Sequence, residues 1–129
     1  MERQGTQQVR DVMTRDVETI EPDATLQDAA QMMEALDVGP LPVVEDGLVV
    51  GMLTDRDVIA RSVGDARDPQ TTTVRDIMTT DVVSCFEDDD VTEAAHLMQQ
   101  EQLKRLVVLN KDQELVGIVS LADLPVSGV

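Results

Sequence analysis

An internal duplication constrains this chain more than any other feature of its sequence. The segment Val9–Val17 returns as Val74–Val82 at an offset of 65 residues, and Gly51–Asp57 returns as Gly117–Asp123 at an offset of 66. A period this long exceeds that of a solenoid unit and is typical of a duplicated half-domain. Two similar halves packed about a pseudo-two-fold axis would form two related clefts, and the repeated motifs indicate what the clefts hold.

Length and charge limit the class of protein. With 129 residues, of which 42% are apolar, the chain is long enough for one domain with a sizeable core. Its net charge of −16 would repel DNA, RNA and anionic membranes, so no nucleic acid and no membrane is expected as a partner. Only ten Lys and Arg are present, and several fall at motif positions. This placement favours a small anion as ligand, and helix-surface salt bridges are the alternative.

Targeting and disulfide signals are absent from the sequence. No apolar run approaches the roughly 20 residues that cross a bilayer, and the first five residues are polar, unlike a signal peptide. Cys85 is the only cysteine, so no internal disulfide can form, and its apolar surroundings favour a buried structural thiol. These features predict a cytoplasmic protein.

Each copy is predicted to fold as strand, helix, strand, strand, helix, which places the chain in the mixed α/β (α+β) class. In the first copy, Val17–Ile20 is a short extended run, and Thr25 with Asp28 has the form of a capping box. Apolar residues at helical spacing then continue until Gly39-Pro40 stops the helix: Leu26, Ala29, Ala30, Met33 and Leu36.

A β-hairpin follows this helix. Its predicted strands are Leu41–Val44 and Leu48–Leu53, and the Asp46-Gly47 pair between them favours a tight turn. Pro42 lacks a backbone donor, so the first strand should begin there or lie at a sheet edge. Thr54 can then cap a second helix that runs through Val63.

The second copy repeats this plan with a shortened end. Asp90–Glu93 suits another capping box, Leu106–Leu109 and Leu115–Val119 are the matching hairpin strands, and Leu124-Pro125 cuts the last helix short. The predicted division is a flexible arm over 1–8, the first repeat over 9–63, a polar surface linker over 64–73 and the second repeat over 74–129.

The corner between strand and helix carries the candidate chemistry. It would present Thr54 and Asp57 on the first turn of a helix, where free backbone donors and the helix dipole favour phosphate. The Thr54 hydroxyl can donate to a phosphate oxygen, and the Asp57 carboxylate can accept from the vicinal hydroxyls of a ribose. Thr-x-x-Asp is also an ordinary capping box. Because Ser120 and Asp123 restate the pair after the same Gly-led strand, the recurrence favours two ligand sites.

Two further groups of residues favour structural roles. Glu87–Asp90 lacks the spacing and turn glycine of an EF-hand loop, so a solvated turn before a helix is the preferred interpretation. His96 is the only histidine and has no partner cysteine and no Ser-His-Asp spacing. No catalytic residues and no metal ligands are therefore assigned.

Together, the repeated motifs resemble a tandem pair of cystathionine β-synthase (CBS) domains, a stand-alone CBS module of prokaryotic type. The resemblance covers about Val9 to Leu124 and rests on the motifs D-V/I-M-T, L-P-V-V, G-M-L-T-D-R-D and G-I-V-S-L-A-D. It implies two small sheets packed against each other with the helices outside. It also implies clefts between the repeats that bind adenosine derivatives such as AMP, ADP, ATP or S-adenosylmethionine, and a disc-like homodimer of two modules.

The resemblance further implies which residues line each cleft. One cleft would be lined by Thr54, Asp57, Val82 and Val83, with phosphate-binding cations from Arg75 and Arg105. The other would be lined by Ser120, Asp123, Val17, Glu18, Val38, Gly39 and Lys104, together with Arg10. Glu18 adds negative charge to the second cleft, and Ala122 stands where the first copy has Arg56. The first cleft is therefore predicted to be the stronger.

The predicted function is regulatory. An adenosine derivative would bind between the repeats and alter a dimer or the surface for an unidentified regulated protein, with no catalytic activity and no required cofactor. The alternative is an interaction and oligomerisation scaffold of the same fold that binds no nucleotide. A nucleotide hydrolase or transferase is disfavoured, because nothing in the sequence supplies an oxyanion hole. The homodimer is expected to use apolar helix residues: Met32, Met33, Ile59 and Leu97.

Overall fold

The computed structural model describes residues 7–37 and 40–124, which form two compact units with a core each. The central unit is Glu18–Val82, and the terminal unit joins the described residues up to Val17 with the described residues from Val83 onward. The units are offset from the sequence repeats. The opening segment of each repeat therefore folds with the body of the other copy.

Both units mix short helices with a small sheet, which confirms the predicted α+β class. The central unit contains α1 (Leu26–Leu36), β1 (Leu41–Glu45), β2 (Leu48–Leu53), α2 (Asp55–Ile59) and α3 (Val74–Ile77). The terminal unit contains β3 (Ser84–Phe86), α4 (Val91–Glu101), β4 (Arg105–Leu109) and β5 (Leu115–Ser120), with 3₁₀ turns at Val9–Asp11 and Leu121–Asp123. No helix in the described ranges combines the length and apolarity that a membrane span requires.

The first helix follows the sequence prediction closely. The Thr25 hydroxyl accepts from the Asp28 N–H at 3.1 Å, and the Asp28 carboxylate accepts from the Thr25 N–H at 3.2 Å, so the capping box is confirmed. The helix ends at Leu36, where Asp37 adopts a left-handed conformation with φ 55°. Gly39, half of the predicted stop signal, lies outside the described residues.

The first hairpin is confirmed as well. β1 and β2 are antiparallel, with Leu41 opposite Leu53. Asp46 and Gly47 between them have φ of 55° and 83°. Positive φ at both central residues is the geometry of the type I′ turn, whose twist matches that of the flanking strands.

Pro42 explains why the predicted strand Val17–Ile20 is reduced to a single bridge. Ile20 pairs in parallel with Val43, donating to the Pro42 carbonyl at 3.0 Å. The next rung of a parallel ladder would need an N–H on Pro42, which proline lacks. Val107, at the matching position of the second copy, has an N–H, and there the pairing extends to Ser84 as β3.

The start of α4 differs from the predicted capping box. Asp90 is the N-cap residue, but its side chain makes no capping hydrogen bond. The first free helical donor, the Val91 N–H, instead donates to the Gln7 carbonyl at 2.9 Å, and Gln8 forms a bridge with Asp90. The end of the predicted arm thus meets the N-terminus of α4, while residues 1–6 lie outside the described part of the chain.

The remaining predicted elements have about the predicted extent, but the second helix changes type and the end of the linker is buried. The second helix of the first copy is α-helical as far as Ile59 (α2). It then continues as a π-helical turn over Ala60–Gly64. The last helix is the 3₁₀ turn Leu121–Asp123, so its predicted truncation is confirmed. The linker is exposed as far as Thr71, but Thr72 is only 8% exposed, and its carbonyl accepts from the Leu26 N–H at 2.9 Å.

Candidate functional site

The Thr54–Asp57 pair forms a closed hydrogen-bonded corner between β2 and α2, which we call the central corner. The Thr54 hydroxyl oxygen accepts from the Asp57 N–H at 3.1 Å. Asp57 Oδ2 accepts from the Thr54 N–H at 3.0 Å. These two bonds hold the carboxylate in one orientation. Among the described residues, Asp57 Oδ1 receives no hydrogen bond, so this oxygen can accept one from a ligand.

The Ser120–Asp123 pair repeats this arrangement between β5 and the last 3₁₀ turn, and we call it the terminal corner. Asp123 Oδ2 accepts from the Ser120 N–H at 3.0 Å and from the Ser120 hydroxyl at 2.9 Å. The Ser120 hydroxyl proton is therefore directed to the carboxylate, whereas the Thr54 proton is available for another acceptor. Each corner keeps one carboxylate oxygen free of described donors, which suits the hydroxyl groups of a sugar.

Glycines within β2 and β5 allow a close backbone approach. A Cβ on Gly51 would lie 2.6 Å from the Met78 sulfur and 3.0 Å from the Thr79 carbonyl oxygen. A Cβ on Gly117 would lie only 2.7 Å from the Thr14 carbonyl oxygen. Neither glycine has a positive φ, so the requirement is one of space.

The same approach is reinforced by paired backbone hydrogen bonds. Met52 and Thr79 exchange two bonds of 2.9 Å, and Thr14 and Ile118 exchange bonds of 2.8 and 3.0 Å. The Met-Thr dipeptide near the start of each repeat thus lies against a strand of the other copy. Thr14 of the first copy pairs with β5, and Thr79 of the second copy pairs with β2. This pairing explains why both motifs recur. It could not be predicted from the sequence, because the paired motifs lie far apart along the chain.

The structure places Arg75 away from the central corner. Its Nη2 atom lies 2.7 Å from Glu45 Oε2 and 3.6 Å from Asp23 Oδ1. The hydrogen bond and ion pair with Glu45 raise the pKa of Arg75 above its ordinary value. Glu45 lies at the turn end of the hairpin, whereas Thr54 follows its other end. A strand of this length spans roughly 17 Å, so the structure does not bring Arg75 together with Thr54 and Asp57.

Two other predicted cations lie beside the terminal corner. Arg105 opens β4 and is the cross-strand partner of Ser120. The Lys104 carbonyl oxygen accepts from the Leu121 N–H at 2.8 Å. Lys104 was predicted at this corner, but Arg105 was assigned to the other one. The strand register that joins Arg105 to Ser120 could have been derived from the matching hairpin strands.

Four of the predicted cleft-lining residues lie where the chain passes from one unit to the other. Val17, Val82 and Val83 are half-buried, and Glu18 is exposed. Arg10, also assigned to the second cleft, is exposed and uses its backbone N–H to donate to the Glu87 carbonyl at 2.8 Å. Two further predicted residues, Val38 and Gly39, lie outside the described part of the chain.

Cys85, Asp89, Glu93 and His96 line one groove of the terminal unit. No group of three or more such side chains within the described residues could hold a metal ion. Burial, with a smaller effect of the Asp89 carboxylate, raises the pKa of the Cys85 thiol to about 12. Cys85 is buried, as the sequence predicted.

Comparison with known proteins agrees with the duplication and the fold. The family model of the CBS domain matches residues 9–64 and 74–124. CBS domain-containing protein YhcV of Bacillus subtilis is 44% identical over 119 residues, which cover 92% of this chain and 84% of the relative.

Two solved structures with bound adenosine compounds have the same fold. CBSX2 from Arabidopsis thaliana in complex with AMP has a TM-score of 0.78 and 25% identity, covering 90% of this chain and 91% of its own. The CBS domain pair of protein MJ0100, in complex with 5′-methylthioadenosine and S-adenosyl-L-methionine, has a TM-score of 0.80 and 25% identity, with 92% of each chain covered. The present chain therefore belongs to the CBS domain family and carries two copies of the domain in tandem.

Proposed function

We propose that this CBS pair is a regulatory module that binds adenosine derivatives and has no catalytic activity. The observation that carries the proposal is the matched pair of corners, each with a fixed carboxylate that keeps one oxygen free. The complexes of CBSX2 with AMP and of the MJ0100 pair with 5′-methylthioadenosine and S-adenosyl-L-methionine support this ligand class.

In the proposed complex, the free oxygens of Asp57 and Asp123 accept from ribose hydroxyls. Hydrogen bonds to an ionised acceptor are about twice as strong as neutral ones, so each carboxylate would contribute substantially to affinity. The Thr54 hydroxyl, whose proton is not used within its corner, is a donor for the 5′ substituent. Val17, Glu18, Val82 and Val83 supply backbone groups to adenine. No cofactor is required.

Ligand binding regulates only if it distinguishes two conformations of the protein. A ligand at a hundredfold above its Kd stabilises the state that binds it by about 2.7 kcal/mol. This free energy can shift a balanced equilibrium strongly, provided that the competing state binds the ligand weakly. We propose that the shift is transmitted to a homodimer contact or to a regulated protein in the cytoplasm, where adenine nucleotides are abundant.

Isothermal titration of the wild type and of the double variant Asp57→Asn/Asp123→Asn tests the proposal. Asparagine keeps one oxygen for the capping N–H but presents an NH₂ group to the ligand, so it cannot accept the ribose hydroxyls there. We expect the wild type to bind AMP, ATP or S-adenosylmethionine and the double variant to lose at least about tenfold in affinity, as for one charge-assisted hydrogen bond.

Two outcomes would contradict the proposal. A folded wild type that binds none of these compounds would favour the alternative of a nucleotide-free scaffold. Conversion of ATP to products during incubation with purified protein, absent in the double variant, would show an enzyme. GMP serves as the control for purine binding that does not depend on adenine.

A further inference from the structure

The terminal corner has two cationic side chains at its edge. Arg105 lies directly opposite Ser120 in the antiparallel pair of β4 and β5, so the two side chains project from the same face of the sheet. Lys104 precedes Arg105 and is tied to the corner through the bond from Leu121. Both cations are exposed, and neither forms a salt bridge with another described residue.

The central corner has a different charge at the matching positions. Pro40 precedes Leu41, which pairs with Leu53, so Pro40 stands where the terminal unit has Arg105. On the helix side, the exposed Asp55 and Arg56 lie between Thr54 and Asp57. Arg75, which could have added positive charge within this unit, is held by Glu45 at the far end of the hairpin.

The two corners therefore differ by two charges at neutral pH. Asp55, Arg56 and Asp57 give the central corner a formal charge of −1, whereas Lys104, Arg105 and Asp123 give the terminal corner a charge of +1. A ligand with a 5′-phosphate is repelled by the first set and attracted by the second. From the sequence the central corner was predicted to be the stronger site, because Glu18 adds negative charge to the other cleft and Ala122 stands where the first copy has Arg56.

We propose that the two corners select adenosine ligands by charge. The terminal corner takes a phosphorylated adenosine, with Arg105 and Lys104 on the phosphate, and the central corner takes an adenosine whose 5′ substituent is neutral or cationic. This inference rests on the proposed function and assigns a ligand class to each of its sites. Arg105 is then the residue that determines specificity.

The hydroxyl groups of the two corners favour the reverse assignment, but by a smaller effect. The Thr54 proton is free to donate to a phosphate, whereas the Ser120 proton already lies on Asp123. A hydroxyl is a neutral donor and rotates readily, and a charge-assisted bond from Arg to phosphate is about twice as strong. The charges therefore decide the preference.

Variants in which only one corner can bind a ligand allow the preference of each corner to be measured separately. Asp57→Asn leaves the terminal corner intact, and Asp123→Asn leaves the central one. AMP and adenosine are the probes, because they differ only by the phosphate. In the Asp57→Asn chain, we expect AMP to bind about tenfold more tightly than adenosine. In the Asp123→Asn chain, we expect adenosine to bind at least as tightly as AMP.

Arg105→Gln, added to the Asp57→Asn chain, tests whether Arg105 binds the phosphate. Lys111→Gln in the same chain is the matched control. Lys111 is an exposed cation in the turn between β4 and β5, at the opposite end of that hairpin from Ser120. Arg105→Gln should abolish the preference for AMP without weakening adenosine binding. Lys111→Gln should leave the preference at about tenfold, since it changes the net charge equally but away from the corner.

Several results would overturn the inference. Equal ratios of AMP to adenosine affinity in the two single-corner chains would show that the corners do not differ. Weaker AMP binding after Arg105→Gln in the Asp123→Asn chain would show that this arginine serves the central corner. In these two cases the proposed function still stands. A wild type that binds neither probe would overturn the proposed function and the inference together.

A measurement on the unaltered chain keeps the test independent of how well the variants fold. Titration of the isotope-labelled wild type should show AMP shifting the amide signals of Leu121 and Ala122 first. Adenosine should shift those of Asp55 and Arg56 first. The same order of shifts for both probes would overturn the inference.

Discussion

Gly117 lies where the terminal unit has no room for a Cβ atom. The atom that a Cβ would meet, the Thr14 carbonyl oxygen at 2.7 Å, belongs to backbone that is itself hydrogen-bonded to Ile118. We predict that Gly117→Ala lowers the free energy of unfolding by about 1–3 kcal/mol, as for other overpacking substitutions. Gly51→Ala should cost less, because its nearest contact is the flexible end of Met78.

Urea denaturation of the three glycine variants checks this order. Gly64→Ala is the control, since a Cβ there meets nothing within 4 Å and the backbone is helical. It should be neutral or slightly stabilising, by up to about 1 kcal/mol, through a more restricted unfolded chain. If Gly117→Ala proved as stable as Gly64→Ala, the close approach at the D-V-M-T motif would not constrain the fold.

Arg75 pairs with another side chain of the protein, although its position in the repeat motif predicted a ligand contact. Its place in the repeat suggested a phosphate ligand, but its partner is Glu45, thirty residues away in sequence. We predict that Arg75→Ala leaves the ratio of AMP to adenosine affinity unchanged. It should destabilise the fold by less than Gly117→Ala, because exposed ion pairs contribute little. A selective loss of AMP affinity in calorimetry would instead return Arg75 to the phosphate site.

At the scale of elements, the sequence predicted the features that depend on local interactions. The capping box of α1 needs only Thr25 and Asp28, and the type I′ turn needs only Asp46 and Gly47. Features that depend on distant partners were predicted poorly. Asp90 was read as a side-chain cap, but Gln7, far away in sequence, satisfies the donor of Val91.

The exchange of opening segments is also a non-local feature. Val74 and Ile77, at the start of the second repeat, are 0% and 5% exposed in the core of the central unit. In the terminal unit, Val9, the counterpart of Val74, lies in the core, and Val12, the counterpart of Ile77, packs against it. The repeat boundaries in the sequence therefore do not coincide with the boundaries of the cores. The candidate corners were predictable because each one lies within a single strand-to-helix connection.

Two fragments of equal length test this exchange. Residues 18–82 contain the whole central core, whereas residues 9–73 contain the first repeat without Val74 and Ile77. We predict that the 18–82 fragment unfolds cooperatively in urea and has dispersed amide signals. The 9–73 fragment should be largely unfolded, because loss of two buried aliphatic side chains costs about 3–6 kcal/mol, comparable to the stability of a small domain.

A longer fragment, residues 9–82, provides the control for this comparison. Adding residues 74–82 to the 9–73 fragment restores the missing side chains and should restore cooperative unfolding. A folded 9–73 fragment, or an unfolded 18–82 fragment, would show that the sequence repeat and not the exchanged unit is the folding unit.

At the scale of the whole molecule, the exposed apolar side chains indicate where a second copy could bind. Leu36, Ile59 and Val63 of the central unit are 42%, 59% and 77% exposed. Met33, predicted from the sequence to lie on a dimer surface, is only 7% exposed and belongs to the core. Ile59 is therefore the best single probe of the proposed homodimer among the residues that the sequence analysis assigned to it.

We predict a dimer at micromolar concentration in sedimentation equilibrium and its dissociation by Ile59→Ser. In a two-fold dimer each substitution acts twice, and burying one aliphatic side chain contributes about 1.5–3 kcal/mol, so the Kd should rise at least about 100-fold. Leu48→Ser is the matched control, because Leu48 is 49% exposed at the hairpin turn. Each copy carries a net charge of −16, so added salt should strengthen association by screening the repulsion between copies. A monomeric wild type at both low and high salt would rule out the homodimer and leave a different protein as the partner of this surface.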